Sequence, residues 1–194
     1  MMNSNKISFI IYLFSISCTM GFAQSTGIET GIQLYKAKKL PKAKEFFLQF
    51  HKDHPHEAPS CYYLGRIFLQ EQEYKQAEKW FKKAIELDAT NSNYHLWLAR
   101  TYGIRAQKAS IFKKLSLAKK SKKYFERAVK LDENNIEARV GLISFLLNAP
   151  GIAGGDRNKA LEQAQILVKA DEFRGRIMLA QIYEKKKEMR LEAV

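Results

Sequence analysis

From residue 58 onward, apolar residues recur at steps of three and four with polar residues between them, the period of helices that each bury one stripe. Cys61-Tyr62-Tyr63-Leu64-Gly65-Arg66-Ile67-Phe68 makes one such run, and a second carries Ala77, Phe81 and Ala84 and closes on Leu87-Asp88. The pattern then returns. Leu98-Ala99 stands 34 residues after Leu64-Gly65, with Tyr102 in the place of Phe68, and Ser121, Phe125, Ala128 and Leu131-Asp132 restate the second run. Small residues at 65, 99, 77 and 84 mark places where two helices cross, because a larger side chain there would force them apart. Asp88-Ala89-Thr90-Asn91 and Asp132-Glu133-Asn134-Asn135 supply turn chemistry between one helix pair and the next.

Five units follow from this spacing. The first runs from about Ser25 to Glu57, marked by Gly31, Ala43, Phe47 and His54-Pro55, and the second from Ala58 to Asn91. The third, Ser92 to Asn135, is longer by ten residues. Its extra stretch, Gly103 to Lys120, keeps Ile104, Ala109, Phe112 and Leu115 at helical steps, which predicts a longer helix pair projecting beyond its neighbours. The fourth runs from Ile136 to about Glu172 with Leu142, Leu146, Ala160 and Ala164; the fifth has Leu179-Ala180 and Tyr183. Either Met189 to Val194 begins a truncated second helix of that fifth unit, or its first helix serves as the solvating cap that stacked repeats need.

These residues resemble the tetratricopeptide repeat, whose signature runs aromatic, Leu-Gly, aromatic, then Ala, Phe, Ala. The resemblance implies an all-α, helical-hairpin solenoid of about four and a half repeats with an elongated third hairpin. It also implies a concave groove lined by the first helix of each hairpin, and a role in protein–protein interaction and scaffolding rather than in catalysis. Helical spacing then directs Tyr62, Arg66, Leu69 and Gln70 of the second unit into that groove, with Asn93, Leu96 and Arg100 of the third and Val140, Ser144 and Asn148 of the fourth. Two arginines in an amide-rich wall suit an extended peptide bearing an acidic or C-terminal carboxylate group. Relatives that grip chaperone C-termini use a Lys and Asn clamp; the matching places here hold Tyr62, Arg66 and Trp97, so that activity is not implied. Trp97, Trp80, Phe81 and Phe125 read as packing residues. The elongated hairpin together with the Ala149-Pro150-Gly151-Ile152-Ala153-Gly154-Gly155-Asp156 turn is similar to a subgroup of exported bacterial tetratricopeptide proteins of mostly unassigned role.

The N-terminus changes the expected compartment. Lys6 precedes an apolar run over residues 7–14, and Gly21-Phe22-Ala23 satisfies the small-x-small rule for cleavage before Gln24. Residues 1–23 therefore read as a signal peptide and 24–194 as the repeat domain, exported to the periplasm or beyond. The apolar run is too short for a membrane span, so the mature chain is expected to have none. Cys18 offers a lipid-attachment alternative, but no leucine-like residue stands three places before it, and plain cleavage ranks first. Cys61 is then left without an internal disulfide partner, and its apolar helical setting reads as an inert buried thiol.

Charge is concentrated. The formal net charge is +13, and no Asp or Glu occurs between Ala89 and Phe125. That stretch holds Arg100, Arg105, Lys108, Lys113, Lys114, Lys119, Lys120, Lys122 and Lys123, so the elongated hairpin carries a basic patch. Nucleic acid is an improbable partner outside the cytoplasm. An anionic surface, of lipid headgroups or acidic polymer, suits the compartment better, so a tether through the hairpin stands as the alternative function. A solvated lysine-rich face is the plain reading of the same run.

Candidate chemistry is thin. His51, His54 and His56 lie near Asp53 and Glu57, but Pro55 and Pro59 interrupt the segment and no second cluster completes a metal shell. The glycine turn before a helix could cradle phosphate, yet no Gly-Lys-Ser/Thr follows it; a tight loop with Asp156 as helix N-cap is the expected structure. No cofactor, metal or catalytic constellation is expected.

Overall fold

The computed structural model describes the backbone from Met20 to Glu192 and the side chains of residues 27–187. Cys18 and most of the expected leader lie outside the described residues; the backbone of residues 20–23 continues the first helix. The helices are α1 (Met20–Lys36), α2 (Leu40–Asp53), α3 (Ala58–Gln70), α4 (Tyr74–Leu87), α5 (Ser92–Lys108), α6 (Ile111–Leu131), α7 (Ile136–Asn148), α8 (Arg157–Ala170) and α9 (Glu172–Glu192). They pair as successive hairpins, α1/α2 to α7/α8, each stacked on the next.

Side chains and turns set the boundaries. Asn91 caps α5 by accepting from the Asn93 amide at 3.0 Å, Asn135 caps α7 through the Ala138 amide, and Asp156 caps α8 through the Lys159 amide. Asp88 and Asp132 each accept the backbone N–H two residues on, closing the turns between units as their sequence predicts. Inside the first two hairpins the chain reverses on Lys38 and Gln72, both left-handed at φ 58° and 62°. The same two hydrogen bonds close both turns: Lys38 N–H to Tyr35 O and Lys39 N–H to Leu34 O, matched by Gln72 N–H to Leu69 O and Glu73 N–H to Phe68 O. The repeat is thus reproduced down to its backbone bonds, without the glycine that such a turn favours.

Aromatic rings set over small residues lock the helices together. Phe81 is fully buried and lies against Gly65, where an added Cβ would meet its ring at 2.6 Å. Its other side joins Ala77, Leu98 and Tyr102, so one ring closes a hairpin and the seam to the next unit at once. Phe46 and Phe47 together stand over Gly31, and Phe125 over Gly141 of the following unit. Ser121, at the place held by Ala77 one unit earlier, is buried and donates to the Ala99 carbonyl at 2.9 Å, which satisfies its hydroxyl without water.

The first helices of successive hairpins touch one another, α1 with α3, α3 with α5, α5 with α7 and α7 with α9, while the second helices make no comparable contact. First helices therefore line the inner side of the curve. The third hairpin is elongated as expected: α5 has 17 residues and α6 has 21, against 13 and 14 for α3 and α4. One expectation fails there. Ile104 and Leu115 are half-buried, but Phe112 is 92% exposed and leaves the apolar stripe, and Ala109 lies in the turn rather than on a helix.

At the C-terminal end the truncated-helix alternative is overturned through residue 192, because residues 189–192 continue α9 without a break. Ala180 and Tyr183 occupy places that a second helix would cover, and both are exposed. Met178 and Ile182, on the opposite side of α9, are buried against the fourth unit.

Candidate functional site

The inner face is built from one to three residues of every first helix, and they interlock across units. Tyr35 of α1 accepts a hydrogen bond from Gln70 of α3 at 2.6 Å. Arg66, one turn before Gln70, donates to the Tyr62 hydroxyl at 2.7 Å, and its guanidinium lies 3.7 Å from the Trp97 ring centroid on α5. The rings of Tyr35 and Tyr62 stand 5.3 and 5.6 Å from the same guanidinium. On the far side of Trp97, Arg100 approaches the indole at 4.7 Å and pairs with Glu137 of α7 at 2.6 Å. Glu137 also takes Arg174 of α9 at 3.0 Å. The outcome is a continuous row, Tyr35, Arg66, Trp97, Arg100, Glu137 and Arg174, running along the array.

Electrostatics divides this row in two. The Glu137 carboxyl is held below its ordinary pKa, first by the hydrogen bond from Arg100 and then by the charges of Arg100 and Arg174. That end is internally compensated. At the other end burial raises the pKa of Tyr35, an effect the charge of Arg66 partly opposes. No carboxylate among the described residues pairs with Arg66, which is held by aromatic faces and tyrosine hydroxyls. A flat, weakly hydrated guanidinium fixed against aromatic rings keeps its donor edge for an incoming anion.

One expected groove residue sits elsewhere, and others are engaged by neighbouring groups. Leu96 is 1% exposed and packs in the core with Ala99, Phe125 and Leu142, so it is not part of the groove wall. It occupies the same repeat position as Tyr62, whose side chain enters the seam with the next unit; a phenol is long enough to return its hydroxyl to Arg66, and a leucine ends in the core. Leu69 and Val140 are half-buried against core clusters. Asn93 accepts from Asn135 at 3.2 Å, and Asn148 donates to the Ser144 carbonyl. Trp97, expected only to pack, is the centre of the face. Tyr35, Glu137 and Arg174 were missed, since nothing in sequence couples residues more than thirty positions apart except the repeat register itself.

The basic hairpin is likewise divided. Arg105 pairs with Glu78 of α4, and Lys108 is drawn to Tyr74, donating to its hydroxyl at 2.9 Å and lying over its ring. Lys122 lies near Glu126 at 3.8 Å and rests against Gly154. Lys120 lies 5.6 Å from the Tyr102 ring. Lys113, Lys114, Lys119 and Lys123 are exposed and pair with no carboxylate among the described residues.

The remaining candidates have structural employment. His51 faces Ser60, Cys61 and Trp80, whereas His54 stacks on Phe50, so the histidines diverge; no metal-holding cluster occurs among the described residues. Cys61 is fully buried and its thiol is pushed up to about 11, which removes the thiolate at neutral pH. In the glycine turn, the N–H groups of residues 153–156 all donate to backbone carbonyls, and Gly154 supplies the left-handed φ of 97° that the turn needs. That engagement leaves no cradle for phosphate. No helix among the described residues is long and apolar enough to cross a membrane.

Comparison with known proteins agrees with this construction. Residues 58–91 and residues 95–135 each match the tetratricopeptide repeat family. No curated protein matches the sequence. Among solved structures, the chain is similar to TTC0263, a thermophilic TPR protein of Thermus thermophilus, at TM-score 0.67 and 16% identity over 84% of this chain and 82% of that one. It is similar to YrrB, described as a TPR protein with an unusual peptide-binding site, at TM-score 0.59 and 22% identity over 84% and 80%. MamA protein aligns at TM-score 0.63 and 16% identity over 86% and 84%. At these identities the likeness is one of fold. Two matched repeats, stacked hairpins on either side of them and an inner face formed by first helices make the fold a tetratricopeptide-type helical-hairpin solenoid.

Proposed function

We propose that this protein is a non-enzymatic scaffold of the bacterial envelope that holds an acidic, extended segment of another protein along its inner face. The observation that carries the reading is Arg66: a guanidinium fixed against Trp97 and Tyr62, half-buried, on the binding side of a repeat array, with no carboxylate of its own. Glu137 between Arg100 and Arg174 shows what a carboxylate does on this surface, bridging two arginines from neighbouring units. A partner carboxylate placed one unit earlier would meet Arg66 in a similar way. The envelope assignment rests on the leader pattern of residues 1–23.

The test is selection of binders from a display library of random peptides with free C-termini, followed by fluorescence anisotropy with the best of them. Enrichment of Asp and Glu is expected, together with a loss of affinity of tenfold or more in Arg66→Glu at unchanged helicity, since a charge-assisted pair contributes roughly 1.5–3 kcal/mol. Selected peptides without acidic bias, or binding indifferent to Arg66→Glu, would refute the reading.

A second reading, the tether to an anionic surface, is favoured by one specific observation. Lys113, Lys114, Lys119 and Lys123 project from the elongated hairpin without carboxylate partners, after the neighbouring units have neutralised Arg100 and Arg105. Binding to acidic vesicles or polyglutamate that collapses as salt is raised supports it. Absence of binding at low salt removes it.

A further inference from the structure

The apex of the third hairpin carries a feature that charge alone does not explain. Ile111 and Phe112 open α6 immediately after the turn, 78% and 92% exposed. No other pair of adjacent bulky apolar side chains among the described residues is exposed to this degree. They stand at the far end of the longest helix pair in the repeats, three residues beyond the contact of Lys108 with Tyr74 of the preceding unit. Lys113 and Lys114 follow directly, and Phe112, Leu115, Lys119 and Lys123 descend one flank of α6 around a shallow depression. The order from apex to base is therefore two apolar side chains, then a skirt of lysines.

We propose that this apex is a wedge for an anionic lipid bilayer: Ile111 and Phe112 enter the interfacial region while Lys113 and Lys114 meet the headgroup phosphates, and Lys119 and Lys123, lower on α6, add longer-range attraction. The proposal rests on the tether reading and adds to it the source of the anion and the mode of contact. Three features favour a bilayer over an acidic protein. The apolar pair projects rather than lining a groove, so it needs a soft medium to receive it. Phenylalanine and isoleucine gain free energy from burial in the acyl boundary, an effect absent at a purely polar polyanion. Lysine stems reach along apolar surface while their ammonium groups stay at headgroup level. Each lysine near an anionic leaflet strengthens binding by roughly fivefold, so Lys113 and Lys114 give a reversible hold that the apolar pair then fixes in place.

The experiment is co-sedimentation of the full chain with vesicles of phosphatidylcholine alone and of phosphatidylcholine with phosphatidylglycerol, at low and high salt, with soluble polyglutamate as competitor. Ile111→Ser/Phe112→Ser and Lys113→Glu/Lys114→Glu are compared with the unaltered chain, after circular dichroism shows equal helicity and melting. The expected results are binding to the phosphatidylglycerol vesicles only, loss of affinity of about tenfold or more in the serine variant, and abolition in the charge reversal. Equal vesicle binding by the serine variant overturns the wedge and leaves the tether standing. Tight polyglutamate binding, unaffected by the serine substitutions and stronger than vesicle binding, assigns the hairpin to an acidic protein and overturns the lipid assignment. Failure of the unaltered chain to bind phosphatidylglycerol vesicles at low salt removes the wedge and the lipid form of the tether together.

Discussion

Replacing Gly65 by alanine should destabilise the protein, and the same replacement should stabilise it once Phe81 has been cut to alanine. A Cβ at 65 would stand 2.6, 2.7 and 2.9 Å from three atoms of the Phe81 ring, and that ring is fully buried between α3, α4 and the third unit. Overpacking of this kind costs about 1–3 kcal/mol, against a gain of ~1 kcal/mol from the better helix propensity of alanine. Gly65→Ala alone therefore loses stability, by roughly 1 kcal/mol. Phe81→Ala removes the ring and costs about 3–5 kcal/mol, or a fall in Tm of the order of 10 °C for a chain of this length. In that background the clash is gone, the new methyl fills part of the cavity, and the propensity gain survives. Gly65→Ala should then raise stability by about 1 kcal/mol, so the two sites couple by roughly 2 kcal/mol. Urea titrations followed by far-UV circular dichroism on the four chains of the cycle give the answer. Phe112→Ala, the same deletion at an exposed ring, serves as the control and should change nothing beyond ~0.5 kcal/mol. If Gly65→Ala has one sign in both backgrounds, the ring is not what requires glycine at that place.

Glu137→Gln should strengthen binding of the selected acidic peptide a few-fold by anisotropy, because it releases Arg100 and Arg174 from their internal carboxylate; weaker binding would show that Glu137 orients the face rather than occupying it. Stability should fall as pH rises from about 9 toward 11, since the Cys61 thiol is raised from 9.0 to about 11 and the Tyr94 phenol from 10.0 to about 12, both chiefly by burial. The unfolded chain loses these protons first, so deprotonation pulls the equilibrium toward it; urea midpoints across that range, compared with Tyr94→Phe, check the sign. Acid should act in the opposite direction through His51 and His95, whose pKa values burial lowers below 6.5. There the unfolded chain takes up protons first, stability falls as pH drops below 6.5, and the His51→Gln/His95→Gln variant should flatten the profile.

The repeat was legible because its information is local and periodic. Leu64-Gly65 and Leu98-Ala99, the alanines of the second helices and the Asp-to-Asn turns each specify a crossing within one unit or a reversal into the next, and the structure uses them as expected. The turns at Lys38 and Gln72 were not legible, because their residue types carry no left-handed preference; the stacked units hold them there regardless. The face was half legible. Arg66 and Arg100 follow from helical phase, but their partners come from neighbouring units, and which side chain reaches across a seam depends on length as much as on position. Tyr62 and Leu96 share one position and differ in outcome for that reason; the adjacent place puts Trp97 between the two arginines. The charge run overstated the basic patch, because a sequence window cannot show that Glu78 and Glu137, on either side of it, turn inward to meet Arg105 and Arg100.

That neutralisation separates the two proposed surfaces. Along α5, Arg100 lies eight residues before Lys108, about 12 Å at 1.5 Å per residue, and the apex begins beyond that. The distance exceeds the Debye length of ~8 Å at physiological salt, and the arginines in between are already paired. Lys113 and Lys114 at the apex therefore exert little pull on an anion at Arg66, and substitutions at the two places should act additively. The glycine turn supports the same division mechanically. It follows α7, packs on α6 and sets Gly154 against the stem of Lys122, bracing the base of the long helix from the fourth unit while leaving its first turns free. Both departures from the plain repeat thus meet at one contact, a rigid foot for a projecting tip. An array built in this way can hold one partner along its inner face and a second at its apex at the same time. In the proposed scaffold, the braced base of the long hairpin is what keeps the two sites apart.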